Sequence, residues 1–136
     1  MNNNKIHKGI NYLNTVVNSF DGDSHIFINC NFKDMTMEGA ELSDSVLVRC
    51  SFENTDFYWA RFFRARFIDC KLNNIDFRGA SMEECCFISS ELVDCDFGTD
   101  NLGGATDVSS LFLIDSKANN CKGLNSAQQI FPADRD

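Results

Sequence analysis

Seven cysteines and two histidines are the residues here with the most chemistry to offer. A structural zinc site needs four convergent ligands, commonly delivered as close cysteine pairs, and the chain has no C-x-x-C. Cys30, Cys50 and Cys70 instead recur every twenty residues, with Cys85 and Cys95 on the same five-residue step. Small thiols on a regular step read as packing groups. Cys86 and Cys121 remain as the thiols open to oxidation. His7 and His25 both lie near the N-terminus. No glycine-rich phosphate loop, nucleophile elbow or histidine beside a nucleophile is visible, and Glu83-Glu84 reads as a solvated acidic pair. The expectation is therefore a chain with no catalytic residues, no metal and no cofactor.

Bulk composition narrows the field further. A net charge of −8 opposes direct nucleic-acid binding, which needs a basic surface. An odd cysteine count and the lack of an apolar N-terminal signal point to reduced thiols and a cytoplasmic protein. No apolar run approaches membrane-spanning length.

The element that positions these residues is a repeat. Stepping by five from Phe27 to Leu102 meets sixteen positions, every one Phe, Leu or Met, although those types make up only 26 of 136 residues. Nine are phenylalanine: Phe27, Phe32, Phe52, Phe57, Phe62, Phe67, Phe77, Phe87 and Phe97. Two places before each stands a mostly small residue, among them Cys30, Ala40, Ser45, Cys50, Ala60, Ala65, Cys70, Ala80, Cys85 and Cys95. Residues two apart on an extended chain point the same way, so both face inward. Period five suits neither a helix, around which it drifts, nor a flat strand of period two. It suits a chain that turns a corner every five residues and closes a square coil every twenty.

Cys30-Asn31-Phe32, Thr55-Asp56-Phe57, Ala80-Ser81-Met82 and Cys95-Asp96-Phe97 carry a recognisable unit: small residue, Asp or Asn, then Phe or Leu. Over residues 25–104 the chain resembles the pentapeptide-repeat family. The resemblance implies an all-β solenoid, a right-handed quadrilateral β-helix, here of about four coils. At the N-terminus, Ile6, Ile10, Leu13, Val16, Val17 and Phe20 recur at helical spacing, which predicts an amphipathic helix over 5–19 and a turn at 21–24. After Leu102 the Gly103-Gly104 pair loosens the pattern, and residues 126–131 predict a short helix before Pro132. The expected organisation is a helical cap and turn (1–24), the β-helix (25–104), and a C-terminal cap and tail (105–136). No projecting loop between repeats is expected.

With the interior filled, function must be written on the faces. Ile28, Val48, Ile68 and Ile88 form an outward apolar ladder at twenty-residue spacing. Such a stripe signals an interface, covered either by the terminal segments or by another molecule, a homodimer included. Tyr58, Trp59, Phe63, Arg61 and Arg64 project from one coil, and Tyr, Trp and Arg are enriched in binding hot spots. Asp56, Asp76 and Asp96 form an acidic ladder, near Glu38. Two functions compete. One is a non-catalytic protein–protein interaction module with a partner of unknown identity. The other follows from the resemblance: some family members are acidic dimers that imitate DNA and bind DNA gyrase, inhibiting it or protecting it from quinolones. Arg61, Arg64, Arg66 and Arg78 interrupt the negative surface and weigh against mimicry.

Overall fold

The computed structural model describes residues 5–131. Its strands are β1 (Ile6–Lys8), β2 (Asn11–Leu13), β3 (Ile26–Ile28), β4 (Asn31–Lys33), β5 (Val46–Val48), β6 (Ser51–Asp56), β7 (Arg66–Ile68), β8 (Lys71–Asp76), β9 (Cys86–Ile88), β10 (Glu91–Val93), β11 (Phe112–Ile114), β12 (Lys117–Asn119) and β13 (Gln128–Ile130). All pair in parallel, in two sheets ordered β1-β3-β5-β7-β9-β11-β13 and β2-β4-β6-β8-β10-β12. Seven passes along one side bound six turns of a solenoid. The other two sides are joined by single bridges such as Thr36–Asp56 and Glu41–Arg61.

The five-residue step explains this geometry. From Phe27 to Phe97 every fifth side chain is buried, and the rings stack from turn to turn: Phe32 on Phe52 at 4.7 Å, Phe67 on Phe87 at 4.5 Å, Phe77 on Phe97 at 4.6 Å. From Gly9 to Asp94 each corner is made by a residue with positive φ, and Asn, Asp, Ser and Gly predominate there. Gly, Asn and Asp enter the left-handed region at least cost. Trp59, Arg49, Arg64 and Glu84 occupy the same conformation without that advantage.

The small slot has a second task. Cys50, Cys70, Ser90 and Ser116 lie in one column and donate to the carbonyls of Phe27, Leu47, Phe67 and Phe87, at 3.4, 3.2, 3.2 and 2.9 Å. The buried cysteines are thus interchangeable with serine as donors to the preceding turn. Among the described residues no group of three or more His, Cys, Asp or Glu is placed to hold a metal.

Three expectations fail. Residues 5–19 are not a helix but another coil, with β1 and β2 in register with β3 and β4. Stepping back from Phe27 gives Gly22, Val17, Tyr12 and His7, so the ladder continues in other residue types. Ile6, Leu13 and Val16, which set the apparent helical period, are exposed. The swap of sizes at Phe20 and Gly22 hides the pattern most. A Cβ on Gly22 would lie 2.6 Å from Leu42 and 2.9 Å from Phe20, whose ring takes the space that a large central residue leaves empty. Residues 128–130 form β13 against β11, not a helix. Four coils become six turns because both predicted caps are themselves coils.

The third failure is the loop. Leu102 is 81 % exposed and sits outside the ladder. β9 pairs with β11 at an offset of 26 residues, not 20, so six extra residues are inserted after Phe97. They project from the rod near 98–105, and the register resumes at the buried Thr106 and Val108.

Candidate interaction surfaces

The seven-stranded sheet presents fourteen outward positions, two per strand. Eleven are apolar: Ile6, Ile26, Ile28, Val46, Val48, Ile68, Cys86, Ile88, Phe112, Ile114 and Ile130. Ile28, Val48, Ile68 and Ile88 stand in direct register, each half-buried by its neighbours above and below. The ladder is longer than its four sequence-predicted members, because β11 and β13 add Ile114 and Ile130. Those two escaped the twenty-residue count because the insertion shifts the one and a shortened last turn shifts the other. Both terminal segments are coils of the rod, so no described segment lies over this face.

The aromatic and arginine residues do not form a single patch. Tyr58 is buried, with Trp59 at the next corner. Arg61 and Phe63 lie on the following side, and Arg64 turns the corner after that. Tyr58 and Trp59 stack at 5.0 Å, and the Arg78 guanidinium lies 5.4 Å from the Tyr58 ring. The inserted loop straps over this corner. Trp59 Nε1 donates to Asp100 Oδ2 at 2.9 Å, Asn101 N donates to the Tyr58 hydroxyl at 2.8 Å, and Arg78 donates to Asn101 Oδ1 at 3.2 Å. The other Asp100 oxygen accepts from Leu102 N and Gly104 N. These donors, the indole first, hold the Asp100 carboxyl below its usual pKa. Gly79 is required beneath the indole, since a Cβ there would collide with the Trp59 ring. Arg61 and Arg64 make exposed pairs with Glu41 and Glu84, each at 3.3 Å.

The acidic ladder is in register across β6 and β8 and on to Asp96. Each carboxylate accepts from the backbone N–H two residues on: Asp56 from Tyr58 at 2.8 Å, Asp76 from Arg78 at 2.9 Å, Asp96 from Gly98 at 2.8 Å. These are corner-forming bonds of the Asx type. Arg78 also pairs with Asp76 at 2.9 Å and reaches Asp96 at 4.0 Å, so part of the ladder's charge is met within the chain. Its own pKa is raised by those carboxylates, Asp76 first.

The thiols differ by depth. Burial pushes the Cys85 thiol well up. The Cys121 thiol, half-exposed on the last full turn, is lowered chiefly by the neighbouring Cys95 thiol. At the N-terminal end His7 Nε2 and His25 Nδ1 lie 3.0 Å apart, and His7 stacks on Phe27 at 4.6 Å. Burial and then His25 lower the His7 pKa.

Comparison with known proteins follows the geometry. The family described as pentapeptide repeat region matches residues 23–97. No curated protein matches the chain. Among solved structures, a trypsin-treated variant of QnrB1, a plasmid-mediated fluoroquinolone resistance protein, superposes with a TM-score of 0.56 at 17% identity, covering 93% of this chain and 84% of that one. The pentapeptide repeat protein Rfr23 from the cyanobacterium Cyanothece gives 0.42 at 12% identity over 94% and 92%. HetL from the cyanobacterium Nostoc, involved in heterocyst differentiation regulation, gives 0.39 at 15% identity over 82% and 56%. At these identities the likeness concerns the fold. No described helix is long and apolar enough to cross a membrane.

Proposed function

The chain belongs to the pentapeptide-repeat family, and from that premise we propose that it is a non-catalytic protein-binding module whose working surface is the apolar face of the seven-stranded sheet. One observation carries this reading: eleven of fourteen outward positions on that face are apolar, and no described segment lies over them. A contiguous apolar face on a rod favours association, because contact removes that area from water. The filled interior offers no enclosed site for a substrate, which supports binding over catalysis. The test uses tagged wild type and the Ile68→Lys/Ile88→Lys variant, with folding checked by circular dichroism. Proteins retained from the host cell by wild type, including untagged copies of the chain, should be lost from the variant. Identical retention by both would refute the reading.

A second reading is action on DNA gyrase. It is favoured by the inserted loop, which gives the rod the projection that its sequence conceals, and by the shared fold with a fluoroquinolone resistance protein. Six spacings of ~4.8 Å make a rod of ~29 Å, closer to the 34–36 Å of one DNA turn than four coils allow. Opposing it, Arg78 meets two rungs of the acidic ladder. A gyrase supercoiling assay with and without a quinolone decides: no change at micromolar protein removes this reading.

A further inference from the structure

The edges of the apolar face carry the charge pattern that names its occupant. Left-handed corner residues flank each strand. Ser24, Asp44, Arg64 and Glu84 precede β3, β5, β7 and β9, and Asn29, Arg49, Asp69 and Ser89 follow them. In the turn of β5 the two edges read Asp44 and Arg49; in the turn of β7 they read Arg64 and Asp69. The signs reverse together from one turn to the next.

We propose that the occupant is a second copy of this chain, packed sheet to sheet about a two-fold axis parallel to the rod. The inference rests on the apolar face being a binding surface and names what binds there. A half-turn about that axis leaves every residue at its own height and exchanges the two edges. Asp44 then faces the partner's Arg49, Arg64 faces the partner's Asp69, and Glu84 faces the partner's Ser89. No like charges coincide. Across the centre, Ile26, Val46 and Cys86 face the partner's Ile28, Val48 and Ile88, and Arg66 lays its stem along the partner's Ile68.

Other two-folds fit less well. An axis across the rod through β7 sets Arg64 on Arg64, Asp69 on Asp69 and Asp44 on Glu84, all repulsive. Moved midway between β5 and β7, it matches opposite charges but leaves β13 outside the contact. The parallel arrangement alone combines matched edges with all seven strands.

Arg64 is available for the new contact. Its present pair with Glu84 is more than half exposed on both sides, and such pairs contribute little. Packed sheets lie ~10 Å apart, a gap that facing arginine and aspartate side chains can bridge. The face, about 29 Å tall and ~15 Å wide with its corners, covers about 450 Å² per copy. That lies below the standard ~800 Å² per partner, so the dimer is weak and concentration dependent.

The experiment is sedimentation equilibrium across a wide concentration range on wild type, Arg64→Asp, Asp69→Arg and the double variant. Arginine and aspartate already occupy corners of the same conformation at Arg49 and Asp44, so the swaps keep the fold, checked by circular dichroism. Wild-type mass should climb from 15.3 kDa toward twice that value. Each single variant should weaken association by roughly tenfold, and the double variant should recover it. A double variant weaker than either single one would mean that Arg64 meets Asp44, which overturns the parallel arrangement. Wild type monomeric at every concentration overturns the second copy itself. If Ile68→Lys/Ile88→Lys still abolishes protein capture in that case, the binding-surface reading stands; if it changes nothing, both fall.

Discussion

Truncating Phe67 to alanine tests the solenoid where it is least able to compensate. The side chain is fully buried, stacks on Phe87 at 4.5 Å, and meets Phe62 and Phe52 at 5.6 and 5.8 Å. It sits on β7, with three strands of the same sheet on either side. Removing a buried phenylalanine costs about 3–5 kcal/mol in transfer and cavity terms, a large share of the roughly 5–15 kcal/mol that is typical of a whole domain. Each turn of a solenoid touches only its neighbours, so a void here uncouples the two halves, and neighbouring turns cannot collapse without breaking their own stacks. Tyr12 supplies the contrast. It is half-buried and stacks on Phe32 at 4.6 Å, with no described strand on its N-terminal side. Tyr12→Ala should fray one coil and leave the main transition in place. With a urea slope of about 1–3 kcal/mol per molar, Phe67→Ala should lower the midpoint by at least ~1 M, read by far-ultraviolet circular dichroism. An unchanged midpoint, or equal losses at Phe67 and Tyr12, would refute both the register and the nearest-neighbour picture.

Two further outcomes follow from contacts at the corner and at the end. Asp100→Ala should release the strap: Trp59 emission shifts to the red and protease cleavage between 98 and 104 accelerates, while the midpoint of the main transition stays put; unchanged cleavage would show that the loop holds itself. At the N-terminal end, the lowered His7 pKa means that the folded chain takes up a proton less readily than the unfolded one. Stability from that end is therefore complete above the ordinary histidine value of 6.5 and is lost as pH falls below it. His7→Phe, which puts a ring in the same ladder position, should abolish this loss. Melting curves at pH 8 and pH 5 check it, and an equal acid shift in both proteins would place the titration elsewhere.

The central turns were legible because one side-chain class fills one slot without interruption from Phe27 to Phe97. The ends were not, for two physical reasons. A central position needs volume rather than a particular residue type, and His7, Tyr12 and Val17 supply it outside the Phe, Leu and Met vocabulary. Gly22 supplies none, since Phe20 fills its space from the neighbouring slot. The loop was hidden by coincidence: Leu102 falls on the five-residue step while lying outside the rod. On the surface, the apolar ladder was visible as spacing, but the fact that no described segment covers it was not, because a helix over 5–19 would have served as a lid and that segment is instead a coil. Trp59 was legible as an unusual outward residue; Tyr58, read the same way, is buried. That they serve as anchors for a loop some forty residues later in the chain left no mark in the local sequence.

The faces differ in how far the fold itself explains their residues. The acidic ladder is conspicuous in the sequence, yet each carboxylate is bonded to the backbone N–H of its own corner, and Arg78 spans two of them. Aspartate there is explained by turn chemistry alone. The aromatic corner is likewise occupied, by its strap. The apolar sheet differs in kind. Its outward Ile and Val residues make no corner, hold no loop and fill no cavity, and at exposed strand positions polar β-branched residues such as threonine would serve the backbone as well. Solubility argues against leaving eleven partly exposed apolar side chains along one side of a rod. On the proposed reading, contact with a second molecule offsets this cost, on that sheet rather than on the more conspicuous charges or the lone tryptophan.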